Sequence, residues 1–222
     1  MHPLVLSLQE RFQQHADSAN AAQMQAYMKD HFPFHGIKSP ERKILQKPLI
    51  AAAVGKDKIV PQGVIEDLWQ LPEREYQYVA IDLLEKYAHK GPSNYIDWYE
   101  SLIVRKSWWD SVDMLCNSVW KHLLSHPEQR ISYSQKWITS DNIWLQRTAL
   151  IFQRKSKLDT DWQMLQDYIL LTCESKEFFI RKAIGWALRD YSKHKPELVR
   201  DFLARHGERL APLSVREARK YL

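Results

Sequence analysis

Glycine is scarce in this chain, with six in 222 residues. Few positions therefore suit tight left-handed turns or a phosphate-cradling loop, and no stretch reads GxGxxG, GxxxxGKS or GxxxxGKT. Cysteine is scarcer still. The two, Cys116 and Cys173, are too few for a disulfide framework and form no CxxC pair. Each lies in an apolar helical pattern, which predicts buried free thiols and fits a reducing compartment. No apolar run approaches the roughly 20 residues of a membrane-spanning helix. Met1 to Glu10 has neither the basic stretch nor the long apolar segment of a secretory signal. No run alternates apolar and polar residues long enough to read as a strand. The expectation is a soluble, cytoplasmic, all-helical monomer with no membrane partner.

What is present is aromatic and basic. The apolar fraction is 45%, with nine Trp, ten Tyr and seven Phe, ample for a core. The net charge of +5 raises the prior for a polyanionic partner, although mild basicity alone is weak support. Apolar periodicity predicts helices over about Pro3–Ala16, Asn20–His31, Pro40–Val54, Gln62–Trp69, Glu73–His89, Ser93–Val104 and Ser107–Leu124. Others are predicted over about Glu128–Ile138, Asn142–Lys155, Thr160–Cys173, Lys176–Tyr191, Pro196–Arg205 and Ser214–Lys220. Ser39-Pro40 is a helix start, with a hydroxyl cap and a proline in the first turn. His89-Lys90-Gly91-Pro92 and His126-Pro127 are stops. Pro48 falls inside a helical pattern and predicts a kink or a split. No Pro/Gly/Ser-rich segment marks a boundary, so one domain over residues 1–222 is expected.

The helices follow a repeat. Leu71-Pro72-Glu73-Arg74, Lys106-Ser107-Trp108-Trp109, Asp141-Asn142-Ile143-Trp144 and Lys176-Glu177-Phe178-Phe179 begin at positions 71, 106, 141 and 176, a step of 35 each time. Counting each start as zero, apolar residues collect at offsets 2, 4 or 5, 8, 9 and 12. They are Trp108, Met114 and Leu115; Ile143, Leu145, Ala149 and Leu150; and Phe178, Ile180, Ile184 and Leu188. At about 100° per residue these offsets fill one half of a helix, the core face. The first block fits less well. A helix pair at this period matches HEAT-like and related solenoids, in which each unit buries a face by stacking on its neighbour. The expected architecture is therefore an all-α, ARM/HEAT-type helical-repeat solenoid in a single curved domain.

Offsets 3, 6, 7 and 10 lie on the opposite arc and carry Trp109, Asp113, Trp144, Arg147, Lys182 and Trp186. A merely solvated face does not usually hold three tryptophans beside a carboxylate and two cations. Asp113 stands one turn after Trp109, at i+4, and is the leading catalytic candidate. Asp110 is the competing carboxylate, and its offset turns it to the packed side as a cap or ion-pair partner. Arg147 and Lys182 share offset 6 in successive repeats, a spacing suited to tracking phosphates. Trp109 and Trp186 suit stacking on a base or packing on a sugar, whereas Trp108 reads as core. Lys38, Arg42, Lys43, Arg105, Lys106, Arg154 and Arg189 add positive charge that suits the border of such a groove. His122 and His126 form an i, i+4 pair, but no third ligand or HExxH glutamate accompanies them, so no metal is expected.

At Lys106-Ser107-Trp108-Trp109-Asp110-Ser111-Val112-Asp113 the chain resembles the AlkD family of DNA alkylation-repair glycosylases. The resemblance continues through Ser140-Asp141-Asn142-Ile143-Trp144-Leu145-Gln146-Arg147, Ser175-Lys176-Glu177-Phe178-Phe179-Ile180 and Lys182-Ala183-Ile184-Gly185-Trp186. Shorter matches occur at Tyr27-Met28-Lys29, Gly36-Ile37, Pro40-Glu41-Arg42 and Leu71-Pro72-Glu73-Arg74-Glu75, so nearly the whole chain is covered. The resemblance implies a HEAT-like solenoid with a basic concave groove for duplex DNA. It implies hydrolysis of the N-glycosidic bond of cationic alkylpurines such as 3-methyladenine and 7-methylguanine, without cofactor. By matching motif, Asp113 resembles the catalytic carboxylate, and Trp109 and Trp186 the aromatics against the lesion's deoxyribose. Arg147 resembles the phosphate-binding arginine. Tyr27, Lys38 and Ser39 resemble minor DNA contacts. Pro33 and Pro48 depart near those early contacts.

The chemistry agrees with these residues. A cationic alkylpurine leaves as a neutral base, so it needs no general acid, unlike a glycoside cleaved by two carboxylates. One carboxylate can stabilise the oxocarbenium-like sugar and orient water, and tryptophan faces can add cation–π stabilisation. Two rival readings use the same surface. One is a noncatalytic duplex-DNA damage sensor, and the other is a protein-interaction scaffold.

Overall fold

Prolines and short polar side chains start most of the helices. In α1 (Pro3–Gln14) proline occupies the first turn and His2 caps it, accepting from the Leu4 amide at 3.2 Å. Asp17 caps α2 (Ser18–Tyr27), accepting from the amides of Ala19 and Asn20 at 2.9 Å each. Proline again lies in the first turn of α3 (Ser39–Ala53), but the hydroxyl cap expected of Ser39 is a correction: Ser39 is the first helical residue, and Lys38 is the N-cap without a side-chain cap bond. The structure is a computed structural model and describes residues 1–54, 61–87 and 91–222. It continues with α4 (Gln62–Gln70), α5 (Arg74–Tyr87), α6 (Tyr95–Ile103), α7 (Trp109–Ser125), α8 (Arg130–Ile138) and α9 (Ile143–Ile151). The last four are α10 (Trp162–Thr172), α11 (Phe178–Ser192), α12 (Pro196–His206) and α13 (Pro212–Ala218). Among the described residues there are thirteen α-helices and no strand, an all-helical architecture. No described helix is long and apolar enough to cross a membrane.

Every expected helix is present, with ends shifted by a few residues. The helix end at Ala88-His89 and the stop at His89-Lys90 lie outside the described residues. Pro48 does not split α3. Pro48 and Ile44, whose carbonyl loses its amide partner to the proline, both lie on the exposed face. The largest shifts are in α2, expected to reach His31 but ending at Tyr27, and in α9, expected to reach Lys155 but ending at Ile151. Gln153 is buried and clamps the following turn, donating to the Asp161 carbonyl at 3.2 Å and accepting from the Asp161 amide at 2.9 Å.

The helices gather into two units, Met1–Gly91 and Pro92–Leu222. In the first, α1 buries Leu4, Val5, Leu8 and Phe12 on one stripe and packs against α3 and α4, while α4 packs against α5. Residues 74–81 of α5 are all buried, which is why its block shows no clean polar face. A buried carboxylate fixes the chain before α3: Glu75 accepts from the amides of His35, Gly36 and Ile37 at 3.1, 2.9 and 3.1 Å. Gly36 has φ +88°, and an added Cβ would stand 2.1 Å from the Asp17 carbonyl oxygen and 2.7 Å from the Ala21 nitrogen. Both are backbone atoms, so neither side yields. Gly36→Ala is expected to destabilise the protein by about 3 kcal/mol or more, read as a fall in the urea midpoint.

The second unit carries the repeat. Helices α7, α9, α11 and α13 pack in sequence order, each on the next. They start at Trp109, Ile143, Phe178 and Pro212, steps of 34, 35 and 34 residues. The period thus runs on to a further block beginning near 211. Side chains about one period apart join neighbouring helices. Tyr133 donates to Asp97 at 2.7 Å, Lys136 to Glu100 at 2.8 Å, and Ser214 to the Arg181 carbonyl at 2.8 Å. The core offsets are mostly right: Leu115, Leu145, Ala149, Leu150, Ile180, Ile184 and Leu188 are buried. Offset 2 is a correction. Phe178 is 57% exposed, and Trp108, Ile143 and also Met114 are only partly buried. Trp108 is the extended N-cap of α7, while Ile143 and Phe178 are first residues of their helices, so the helical angle does not yet set their direction.

Candidate active site

The site is assembled on α7, α9 and α11. Trp109 opens α7 and Asp113 follows one turn later, both partly exposed. Arg147 lies in α9 and meets Asp113 as a two-pronged pair. Its Nε donates to Oδ1 and its Nη2 to Oδ2, both at 2.7 Å. Its Nη1 donates to the Phe179 carbonyl at 2.6 Å, at the start of α11. The planar fork of a guanidinium matches a carboxylate in this geometry, which fixes direction as well as charge. Arg147 is 1% exposed and Asp113 13%. Asp113 therefore keeps one side to solvent while Arg147 is enclosed. Arg147 presents almost no surface to a phosphate in this conformation. Its hydrogen bonds go to Asp113 and Phe179, a different placement from the phosphate contact expected of it.

Arg147 also joins Asp113 to Trp186. Its guanidinium carbon stands 5.5 Å from the Trp186 ring centroid. Three more cations surround that indole: Arg154 at 5.0 Å, Arg189 at 5.5 Å and Lys182 at 5.9 Å. Their offsets explain the arrangement. Arg147 and Lys182 sit at offset 6, Arg154 and Arg189 at offset 13, and Trp186 between them at offset 10. On α11 these positions are i, i+4 and i+7 on one face; on the neighbouring repeat Arg147 lies in α9, while Arg154 lies in the turn that follows it. Each cation except Arg147 is partly exposed, and all four have an acidic partner, two of them sharing one. Arg154 bonds Asp190 at 2.9 Å, while Lys182 and Arg189 bond Glu217 at 2.8 and 3.2 Å.

A second aromatic group borders the first. Trp108, Trp144 and Phe179 have ring centroids 5.7, 5.1 and 5.1 Å apart. Trp108 is thus not sealed in the core but belongs to this partly exposed cluster, with Phe178 edge-on to Phe179 at 5.3 Å. Asp110 is buried at 6% exposure, on the packed side as its offset suggests.

The remaining candidates lie in the first unit. Tyr27 ends α2 and is 68% exposed, Lys38 is the exposed N-cap of α3, and Ser39 is its exposed first residue. Tyr27 and Lys38 line one apolar hollow of about 230 Å³ with Asn20, Met24, Phe34 and Tyr78. Arg42 is not a surface cation: it is 3% exposed and bonds Asp82 at 3.0 Å. Lys43 is exposed, and Arg105 turns onto the Ser101 carbonyl at 3.0 Å. The His122 and His126 rings stand 4.6 Å apart, and no group of three metal-ligating side chains occurs among the described residues.

The sequence reading missed Phe179, whose carbonyl anchors Arg147, and Glu217. The signal for Glu217 was available. It stands at offset 6 of the block beginning at 211, the same offset as Lys182 and Arg147.

Cys116 lies three residues after Asp113 and is 3% exposed. Burial first, and then the Asp113 charge, push its thiol up to about 12. At pH 8 a thiol reagent should label Cys116 on the order of a thousandfold more slowly in the native protein than in denaturant, as read by mass spectrometry of the Cys116 peptide.

The sequence matches the DNA alkylation repair enzyme family over residues 8–222, and the chain belongs to that family. A solved structure named "Predicted DNA alkylation repair enzyme from Enterococcus faecalis" is 36% identical, with a TM-score of 0.85 over 93% of this chain and 96% of that one. No curated protein matches the chain significantly. Membership makes alkylation repair the setting and DNA the substrate.

Proposed function

We propose that the protein is an AlkD-type DNA glycosylase that hydrolyses the N-glycosidic bond of cationic alkylpurines, such as 3-methyladenine and 7-methylguanine, in duplex DNA. The observation that carries this reading is the Asp113 carboxylate, partly exposed and aimed by the buried Arg147, with Trp109 one turn before it and Trp186 against the same guanidinium. The one-period step of α7, α9, α11 and α13 supports a HEAT-like solenoid as the scaffold.

In this mechanism the leaving base already carries the positive charge, so bond cleavage needs no proton from the enzyme. The burden falls on the sugar, where charge develops as the bond lengthens. Asp113 faces that charge and orients the attacking water. Arg147 acts through Asp113 by fixing both carboxylate oxygens. Trp109 and Trp186 supply the faces against the deoxyribose. Lys182, Arg189 and Arg154, each partly exposed but tied to a carboxylate, lend the site a positive field that attracts the DNA without direct phosphate contact. Selectivity follows from the leaving group: an unmodified purine would leave as an anion, and nothing in this set protonates it.

The test is release of free base from duplex DNA containing 7-methylguanine or 3-methyladenine, against unmodified duplex. Release confined to the alkylated duplexes is the expected result. Binding without release from any alkylpurine replaces this reading with the damage sensor. Binding that is weak and indifferent to salt replaces it with the scaffold.

A further inference from the structure

The C-terminal helix α13 enters the site through one buried carboxylate. Glu217 is 4% exposed and accepts three cations: Lys182 at 2.8 Å and Lys220 at 3.0 Å on Oε1, and Arg189 at 3.2 Å and Lys220 at 2.9 Å on Oε2. Lys182 and Arg189 are four residues before and three after Trp186 on α11, and both ends stand within 6 Å of its ring. Neither side chain has another hydrogen-bond partner among the described residues. The Trp186 indole nitrogen is buried and finds no acceptor among the described residues. Packing and the surrounding cations, rather than a hydrogen bond, hold that ring in place.

The backbone is built to let Glu217 reach this position. Gly185, next to Trp186, lies so close to α13 that an added Cβ would stand 2.5 Å from Glu217 Cβ and 2.9 Å from the Ser214 carbonyl oxygen. Ser214 fixes the same approach through its bond to the Arg181 carbonyl at 2.8 Å.

We propose that Glu217 is a positioning residue: it anchors Lys182 and Arg189 along Trp186 and cancels one unit of their charge, so that the indole wall is held while the cations around it are restrained from the DNA backbone. This rests on the reading of Trp186 as a wall of the glycosylase site. Glu217 stays ionised throughout the working range. Burial opposes its charge, but hydrogen bonds from Lys182 and Lys220 outweigh that and take the carboxyl down to about 2. Without the carboxylate the three cations repel one another and turn to solvent, where they meet phosphates instead.

The experiment compares Glu217→Gln with wild type on one 7-methylguanine duplex. Two quantities are read: the slope of log affinity against log salt, and the single-turnover rate of base release. The slope should steepen by about one phosphate's worth, near 0.9, and release should slow by roughly tenfold. A purely structural role for Glu217 loosens α13 without adding a phosphate contact, so it leaves the slope unchanged, and that result overturns the proposal. Unchanged release with a steeper slope overturns the positioning of Trp186. If wild type releases no base, the glycosylase reading fails, and the slope alone decides whether Glu217 restrains the cations. If Glu217→Gln does not fold, Glu217→Asp keeps the charge but shortens the reach. Slower release at the wild-type slope and the wild-type urea midpoint then supports the proposal, whereas unchanged release, or slower release with a lowered midpoint, overturns it.

Discussion

Asp113→Asn should release 7-methylguanine from duplex DNA at least about a hundredfold more slowly than wild type, while its affinity for the same duplex stays within about twofold. The two side chains have nearly the same shape, so the DNA surface is preserved. What changes is charge. The carboxylate faces a developing cation on the sugar and orients the water that attacks it, and a neutral amide does neither well. The amide also fits the site poorly. Arg147 offers Nε and Nη2 to two acceptor oxygens, and asparagine has only one. Single-turnover kinetics separate this loss from any change in product release. Equal release by both proteins would keep the enzyme and move the catalytic carboxylate elsewhere.

Arg147→Met should be the most damaging substitution for stability and activity together. The change removes the guanidinium from a position only 1% exposed and leaves Asp113 and the Phe179 carbonyl without their donor. Removing one partner of a buried ion pair costs about 3–5 kcal/mol, and methionine fills much of the space, so the loss is electrostatic rather than a cavity. Denaturant unfolding measures the stability term. Base release at a temperature where the variant remains folded measures the rest, and it should fall about as far as in Asp113→Asn, because an unaimed carboxylate no longer faces the sugar. A variant that loses stability but keeps full release would show that Arg147 is a strut and nothing more.

Much of this was legible in the sequence, for local reasons. Caps and prolines place helix starts, and the 35-residue step placed Trp109, Asp113, Lys182 and Trp186 on one arc without any tertiary information. Failures came where partners lie far apart in sequence. Arg147 read as a phosphate-tracking cation because its offset, 6, lies on the polar arc and is shared with Lys182. Its burial depends on Asp113, 34 residues earlier, and on a carbonyl 32 residues later. Gln153 ended α9 early by reaching Asp161, a contact no helical pattern reveals. Trp108 and Phe178 were read with a helical angle where the helix is only starting, at the N-cap of α7 and the first residue of α11. Glu217 was overlooked because the repeat was followed for four blocks when the fold continues it to a fifth.

The burial of Cys116 has a bearing on where such a protein works. Alkylating agents that damage DNA are electrophiles, and a thiolate is a softer target for them than any purine. A repair protein is needed when those agents are abundant. Cys116 sits one turn from Asp113, where a methylated sulfur would push against the residue that aims the chemistry. Enclosed at 3% exposure and held in its protonated form, the sulfur is no nucleophile. The protein should therefore keep its activity through an exposure that alkylates its own substrate.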